Sequence, residues 1–443
     1  MARVILGVGA GIAAYKACEL LRLLKESGHA VRVIPTPDAL RFVGAATWEA
    51  LSGEPVTTDV WTGVADVPHV KLGQGADLVI VAPATADLLA RAATGMSNDL
   101  LTATLLTARC PVVYVPAMHT EMWEHPATQH NVATLRARSA VVVEPAVGRL
   151  TGKDSGKGRL PDPEALFDLA ERIISSRTGP GSALAPPASL PGGGAGRAAG
   201  CVPPEEATGD QDGNRAAVRD APGFSLAGRK LLISAGGTRE ELDPVRFLGN
   251  WSTGRQGYAF ARSAVAQGAE VILVAANVEL PDPAGAKVVK VISARDMHAA
   301  MLAEAPSADA IIMTAAVADF RPVARAGHKI KKDGTVPPPV ELTENPDILA
   351  DLAKRRKEQG PGGQVIVGFA AETDPGLDAA LLKLARKGCD LLVMNQVGGG
   401  QGFGATDNEW LVLDADGTVT PIPHQSKDAL ADDVLALVTA RLA

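Results

Sequence analysis

Short runs of aliphatic residues alternate with stretches of helical period along this chain, stop once, and then begin again. Val4–Val8, Val31–Pro35, Asp77–Ala82, Val112–Val115 and Val141–Val143 are apolar almost throughout, which predicts short buried strands. Ala13–Glu26 and Glu164–Ser175 carry apolar residues at helical spacing. The pattern restarts with strand-like Lys230–Ser234, Glu270–Ala275, Ala310–Thr314, Val365–Phe369 and Leu391–Met394, interleaved with helix-like Arg255–Gln267, Ala294–Ala303 and Asp347–Arg356. Such alternation predicts an α/β fold: two doubly wound, Rossmann- or flavodoxin-like domains with mostly parallel sheets. The interruption, from about Thr178 to Pro222, is Gly, Pro, Ala and scattered charge, with few bulky apolar side chains to offset the entropy of ordering. It reads as a disordered linker over 178–225, spanning roughly 35–40 Å, between domains at 1–177 and 226–443.

Composition narrows the function. At 443 residues, each half can bury a core without disulfides or metals. The net charge of -7 argues against a nucleic-acid carrier, which shows a basic face. None of the four cysteines forms a Cys-x-x-Cys pair, so neither a zinc site nor a dithiol redox motif is indicated, and their scarcity fits a reducing cytoplasm. Met1–Leu6 runs into the first strand without a signal-like leader, and no apolar run approaches the ~20 residues that span a bilayer. The expectation is a cytoplasmic protein of small-molecule chemistry, with no nucleic-acid or membrane partner.

In parallel α/β sheets, ligands bind beyond the carboxyl ends of the strands. The first strand ends in Gly7-Val8-Gly9-Ala10-Gly11-Ile12-Ala13-Ala14-Tyr15-Lys16, a glycine turn that opens a helix and lets backbone N–H groups approach a phosphate. Taken alone it is a weak signal, without the full dinucleotide spacing. Ala82-Pro83-Ala84-Thr85-Ala86-Asp87 and Pro116-Ala117-Met118-His119-Thr120-Glu121-Met122-Trp123 follow two further strands, and Pro68-His69-Val70-Lys71-Leu72 holds a lone histidine. Met in this order, these segments resemble the FMN-dependent cysteine decarboxylases, in particular the phosphopantothenoylcysteine decarboxylase domain. The resemblance covers Val4 to about Arg159. It implies FMN as cofactor, with its phosphate near Gly9, Gly11, Ile12 and Ala13 and near Thr36 and Thr85. It makes His69 the acid–base residue, histidine being the side chain type that exchanges protons in the neutral range. It implies that hydride removal from the cysteine CH2–SH gives a thioaldehyde, an electron sink that lets carbon dioxide leave, before the hydride is returned.

Two departures from the family pattern stand out. His119 occupies the place of the Asn that contacts the substrate carboxylate, beside Met122. In the flap stretch Gly148–Arg159, the glycines and Arg159 are kept, but Gly152 replaces the cysteine assigned to protonation, leaving Asp154 or a flap-bound water to supply the proton. These departures leave a second reading open: a first half that binds FMN without decarboxylating and serves as an oligomerisation or regulatory module.

The second half carries Ser234-Ala235-Gly236-Gly237-Thr238-Arg239-Glu240, then Asp243–Phe247, then Asn250-Trp251-Ser252-Thr253-Gly254-Arg255 entering a helix. Ser-Thr-Gly at a helix start with an arginine beside it is a second candidate anion cradle. Ala315-Ala316-Val317-Ala318-Asp319-Phe320-Arg321-Pro322 ends a strand on a carboxylate, and His328-Lys329-Ile330-Lys331-Lys332 clusters cations between glycines. With Asn345–Leu349 and Gly368–Thr373, these motifs resemble the bacterial phosphopantothenate–cysteine ligases from about Leu226 to near the C-terminus. The resemblance implies that CTP activates 4'-phosphopantothenate as an acyl-cytidylate, from which the amine of cysteine displaces CMP. It implies Lys329 as the catalytic lysine and Asn250 as the residue that positions the intermediate. Gly236, Gly237, Thr238, Ser252, Thr253 and Gly254 would cradle phosphates, Ala315 and Phe369 would lie by the nucleotide, and Asp319 would hold ribose or Mg2+. The two resemblances together imply consecutive steps of coenzyme A biosynthesis. They also imply a homo-oligomer, with trimers of the flavin domain and dimers of the ligase domain in an assembly such as a dodecamer.

Overall fold

The computed structural model describes residues 1–61, 67–150, 154–178, 225–331, 339–358, 363–372, 377–396 and 407–442. The expected linker lies outside them except for its two ends. In the first half, β1 (Arg3–Val8), β2 (Ala30–Pro35), β3 (Leu78–Ala84), β4 (Val112–Pro116) and β5 (Val141–Val142) form one parallel sheet in the order β2-β1-β3-β4-β5. Every residue of β3 is buried, as a strand covered on both faces requires, so it reads as one apolar run. The helices are α1 (Ala14–Glu26), α2 (Ala45–Ser52), α3 (Pro68–Gly75), α4 (Ala86–Thr94), α5 (Leu100–Thr107), α6 (Thr120–Glu124), α7 (Pro126–Ala137) and α8 (Pro163–Thr178). Periodicity does not mark α5, whose Leu-Leu-Thr-Ala-Thr-Leu-Leu-Thr has no polar face. Its start is set instead by a reciprocal cap between Asp99 and Thr102. An antiparallel hairpin, β6 (Ala146–Arg149) and β7 (Ser155–Arg159), lies outside the sheet.

The second half repeats the plan with a longer sheet. Its strands are β8 (Lys230–Gly236), β11 (Glu270–Ala276), β12 (Ala286–Val291), β13 (Ala310–Met313), β16 (Val365–Glu372), β17 (Leu391–Gln396), β18 (Asp407–Asp414) and β19 (Val419–Ser426), in the order β12-β11-β8-β13-β16-β17-β18-β19. The first six are parallel, and β18 and β19 add antiparallel at one edge. Two small pairs stand off it: β9 (Arg239–Glu241) with β10 (Phe247–Gly249), and β14 (Phe320–Pro322) with β15 (Leu342–Glu344). The helices are α9 (Arg255–Ala266), α10 (Ala294–Glu304), α11 (Ile348–Glu358), α12 (Leu377–Lys387) and α13 (Lys427–Leu442). In both sheets the order of connection reverses beside the first strand, between β1 and β3 and again between β8 and β13. A crevice opens at such a switch point.

Helix α9 sits unusually close to its sheet because Gly257 has no side chain. A Cβ there would lie 2.5 Å from Ala235 Cβ and 2.8 Å from the Ser234 carbonyl oxygen. On its outer side α9 meets α8 of the first half, and Leu169, Ile173, Ala261 and Ala264 belong to one continuous apolar core. We expect Gly257→Ala to push α9 off β8 and to cost about 1–3 kcal/mol, the usual penalty for overpacking. The loss is read as a lower urea midpoint for unfolding of the second half; an unchanged midpoint would mean that α9 moves away freely.

Candidate functional site

Three adjacent strands of the first sheet deliver the residues expected around a phosphate. The Gly9 N–H donates to the Pro83 carbonyl at 2.9 Å, and a Cβ on residue 9 would come within 2.5 Å of that same oxygen. Only glycine therefore lets the turn after β1 cross the end of β3. The turn continues through Gly11, Ile12 and Ala13 into α1, whose N-cap Ala13 has no side-chain acceptor for the first backbone N–H groups. The Ala14, Tyr15 and Lys16 N–H groups turn back onto the Gly11, Ile12 and Ala13 carbonyls, so it is the N–H groups of the turn itself, aided by the helix dipole, that suit an anion. Ile12 is exposed. Thr36 follows β2, gives its N–H to the Val8 carbonyl at 2.8 Å, and accepts from Ala39 N at 3.3 Å. Thr85 follows β3 and caps α4 through Leu88 N at 3.2 Å. Both hydroxyls keep a proton to donate.

His69 stands apart from that row, on α3. Its backbone carbonyl accepts from Thr107 Oγ1 of α5 at 2.7 Å, while its Nδ1 is buried without a hydrogen-bond partner. A buried polar atom left unpaired is costly, and a bound group that pairs with it recovers that cost. Gly73 seats α3 on α5, since a Cβ there would sit 2.7 Å from the Thr104 carbonyl oxygen.

His119 follows β4 as the exposed N-cap of α6, with Met122 half-exposed one turn on. The hairpin β6–β7 leans on this loop: Met118 N–H donates to the Gly158 carbonyl at 3.0 Å, and Gly158 leaves no room for a side chain against Met118. Asp154 is exposed, and its carbonyl accepts from Leu150 N–H at 2.8 Å across the hairpin end. Gly152 lies outside the described residues. Arg159 is partnered by Asp162 at 2.6 Å, which Lys16 also approaches at 3.4 Å. The anchors of the hairpin were not singled out from the sequence. Lys157 reaches the half-buried Glu144 at 2.5 Å and lies over the Trp123 ring, and Arg136 holds the other Glu144 oxygen at 2.8 Å. Burial pushes the Glu144 carboxyl up, and the Arg136 and Lys157 cations more than reverse that, holding it below the usual range. Lys157 falls at a variable position of the flap pattern, and nothing in its sequence neighbourhood names Glu144.

In the second half, the segments after β10, β13 and β15, with Phe369 and Ala370 of β16, surround a cavity of about 1110 Å³. Of the residues expected at a nucleotide, Asn250, Ser252, Thr253, Gly254, Ala315, Asp319 and Phe369 line it. Asn250 Nδ2 donates to the Val317 carbonyl at 3.0 Å and so ties two walls together. Phe369 packs edge-on between Phe260 and Trp410. Asp319 is exposed on the wall, and its carbonyl takes the Asn345 N–H at 2.8 Å. Lys383, Lys387, Lys427 and Arg255 also line the cavity, although periodicity presents the three lysines as ordinary helix-surface residues.

Two groups of the expected residues stand outside that lining. Gly236, Gly237 and Thr238 do not line the cavity; they brace its wall from behind. Gly236 leaves no room for a side chain against Ala276, and Gly237 packs under the Asn250 carbonyl oxygen, where a Cβ would sit at 2.7 Å. Thr238 is fully buried, with its hydroxyl accepting from Ala318 N at 2.9 Å. Lys329 is exposed and outside the cavity lining, and residues 332–338, including Lys332, are not described. The backbone beside Lys329 is nevertheless fixed. Buried Asp243 accepts from Ile330 N at 3.1 Å, Arg246 N at 2.9 Å and Val245 N at 2.8 Å, and Arg246 Nη2 donates to the Ile330 carbonyl at 2.9 Å.

The geometry thus defines the class: a flavodoxin-ordered sheet with a phosphate-type turn, followed by a Rossmann-ordered sheet with a large cavity at its switch point. Comparison with known proteins agrees. A flavoprotein family model matches residues 1–175, and the model for the DNA/pantothenate metabolism flavoprotein C-terminal domain matches residues 226–442. The coenzyme A biosynthesis bifunctional protein CoaBC of Mycobacterium tuberculosis is 52% identical over 100% of this chain and 97% of its own length. The Bacillus subtilis protein of that name is 39% identical over 99% and 96%. The chain belongs to this family of bifunctional proteins. A crystal structure of the C-terminal domain of a CoaBC protein is 36% identical, covers 49% of this chain and 98% of that one, and gives a TM-score of 0.42.

The Arg246 side chain, and after it the N–H donors around the carboxylate, hold Asp243 well below the usual carboxyl range. A depressed folded-state pKa contributes stability that is present above the unfolded pKa of about 3.9 and is lost as pH falls toward the folded value. We expect Asp243→Asn to have a lower urea midpoint than the parent at pH 7, with the gap narrowing only below about pH 4. A gap that is absent, or equal at pH 7 and pH 3, would disprove this.

Proposed function

We propose that this chain performs two consecutive steps of coenzyme A biosynthesis. Its second domain, 226–443, ligates 4'-phosphopantothenate to cysteine at the expense of CTP. Its first domain, 1–177, decarboxylates the resulting phosphopantothenoylcysteine to 4'-phosphopantetheine with the help of FMN. The observation that carries the reading is the cavity of the second half. In a member of this family, loops from three strands converge on one space, lined by charged and apolar side chains alike, that is large enough for a nucleotide and a second substrate.

A carboxylate is a poor acyl donor because oxide leaves badly, and esterification to CMP corrects that. Charge accumulates on phosphoryl oxygens as pyrophosphate departs, so the step needs cations and aimed donors. Lys329 supplies a cation from its anchored loop, and the Ser252–Gly254 turn at the start of α9 supplies N–H donors. Asn250 holds the acyl intermediate. Asp319 is one carboxylate on the wall, and among the described residues no cluster of three ligand-type side chains forms a metal cage. That suits Mg2+, which binds through one or two carboxylates plus substrate phosphates and neutralises their charge.

In the first domain, FMN supplies the reversible hydride acceptance that turns the substrate into an electron sink. The turn Gly9–Ala13, Thr36 and Thr85 hold its phosphate. His69 moves a proton at its ring nitrogens, and its unpartnered Nδ1 suits that work. His119 donates an N–H to the substrate carboxylate, Met122 covers it, and Arg159 and Asp154 close the flap over it. Asp154 is the residue we assign to proton delivery in place of the missing flap cysteine. The replacement of that cysteine by Gly152 favours one second reading, in which the first half binds FMN and only organises the assembly. The scarcity of cysteine suits a cytoplasmic protein. Trimers of the first domain and dimers of the second, combined as a dodecamer, are the assembly this reading implies.

Mass spectrometry on the full chain given 4'-phosphopantothenate, cysteine, Mg2+ and CTP tests the whole reading. We expect 4'-phosphopantetheine; phosphopantothenoylcysteine accumulating on flavin-loaded protein would support the organising role, and neither product would reject both. His69→Asn should abolish carbon dioxide release, a loss of at least about 10²-fold, and leave pyrophosphate release intact, with Lys329→Gln doing the reverse when the intermediate is supplied. Asp154→Asn should slow decarboxylation alone, and an unchanged rate removes Asp154 from proton delivery.

A further inference from the structure

The two halves touch beside the ligase cavity. Arg172 of α8, its side chain 20% exposed, reaches across to Asp428 in the first turn of α13 at 2.5 Å. Arg262 of α9 holds the same Asp428 oxygen at 2.9 Å. Burial raises the Asp428 carboxyl and the two guanidinium groups more than reverse it, so it stays ionised and paired. The residue before Asp428 is Lys427, which opens α13 and lines the cavity. The Lys427 carbonyl is held by Gln256 Nε2 at 3.1 Å, and Gln256, in the first turn of α9, lines the cavity too. Arg172 is therefore one ion pair and one peptide away from the cavity of the other half. A second cross-contact, Arg136 to Glu270 at 3.6 Å, lies on a different part of the interface. Two separated ion pairs over a continuous apolar contact fix the orientation of one half on the other.

We propose that Arg172 of the first half is a positioning residue for the nucleotide cavity of the second, acting through Asp428 on the start of α13 and so on Lys427. This rests on reading that cavity as the nucleotide site. Arg262 alone approaches Asp428 from α9, within the second half, whereas Arg172 pulls from the opposite helix. With both in place the first turn of α13 is held between two helices, and the direction of the Lys427 side chain is set before the nucleotide arrives. Preorganisation of this kind acts on binding more than on the chemical step.

The test uses the full chain and measures CTP-dependent pyrophosphate release with saturating 4'-phosphopantothenate and cysteine. For Arg172→Ala we expect KM for CTP to rise about three- to fivefold, the ceiling set by a partly exposed ion pair, with kcat within about twofold of the parent. Arg172→Lys should restore most of the affinity. Asp428→Asn, which loses the Arg262 contact as well, should raise KM at least as much, and the double variant should be no worse than Asp428→Asn, in which the Arg172 contact is already gone. Circular dichroism and the thermal midpoint establish that each variant is folded. An unchanged KM in folded Arg172→Ala, additive effects in the double variant, or a fall in kcat without a change in KM would each overturn the proposal. A parent protein that releases no pyrophosphate with CTP would instead overturn the reading of the cavity.

Discussion

A carbonyl oxygen 2.5 Å from where the side chain of residue 9 would begin is the constraint on which the first half depends. The turn after β1 crosses the end of β3 at that point, and it can do so only because Gly9 has no Cβ. If the crossing were wider, the start of α1 would be carried away from Thr36 and Thr85, and the three strand ends would no longer present donors to one space. The second half meets the same requirement with other glycines. Gly257 lets α9 close on β8, and Gly237 lets the wall after β10 lie on the turn after β8. In both domains the catalytic geometry begins as a problem of backbone clearance at a switch point, and charge is added to it afterwards.

That charge is supplied unevenly. The cavity of the second half is lined by Arg255, Lys383, Lys387 and Lys427 against Asp319, Glu344 and Asp347. Lys387 is already engaged by Asp347. The net excess of cation suits polyphosphate chemistry in a chain whose overall charge is negative, which shows why net charge alone says little about a small-molecule site. In the first half, the cations near the hairpin, Lys157 and Arg159, are committed to Glu144 and Asp162. They hold the hairpin in place, and the proposed reaction leaves proton transfer to His69 and Asp154.

The contact between α8 and α9 joins these two economies of charge. Asp428 is shared by an arginine from each half, so the rim of the ligase cavity is not built by the ligase half alone. A fusion of two consecutive enzymes gains a structural consequence from this beyond local concentration, because folding of the first half contributes to the readiness of the second.

Much of the plan is written locally. Strand–helix alternation declares the parallel sheets, since a strand covered on both faces must be apolar along its buried length, and β3 and β13 are so throughout, β1 after Arg3. The glycine turns and the cap-forming residues sit where the chain itself changes from strand to helix, so they too are readable from neighbours in sequence. What distant segments do to each other is not. Nothing near Thr238 announces that its hydroxyl is spent on Ala318, and nothing near Lys157 or Arg172 names Glu144 or Asp428. Helix α5 gives no period because its leucines fall on every side, with Leu106 exposed while Leu100 and Leu101 are buried. The sequence by itself determined the two α/β halves, the switch-point turns and the residue types of both sites. The tertiary structure alone decided which of those residues face the cavity and which brace it, because that depends on packing distances between segments far apart in the chain.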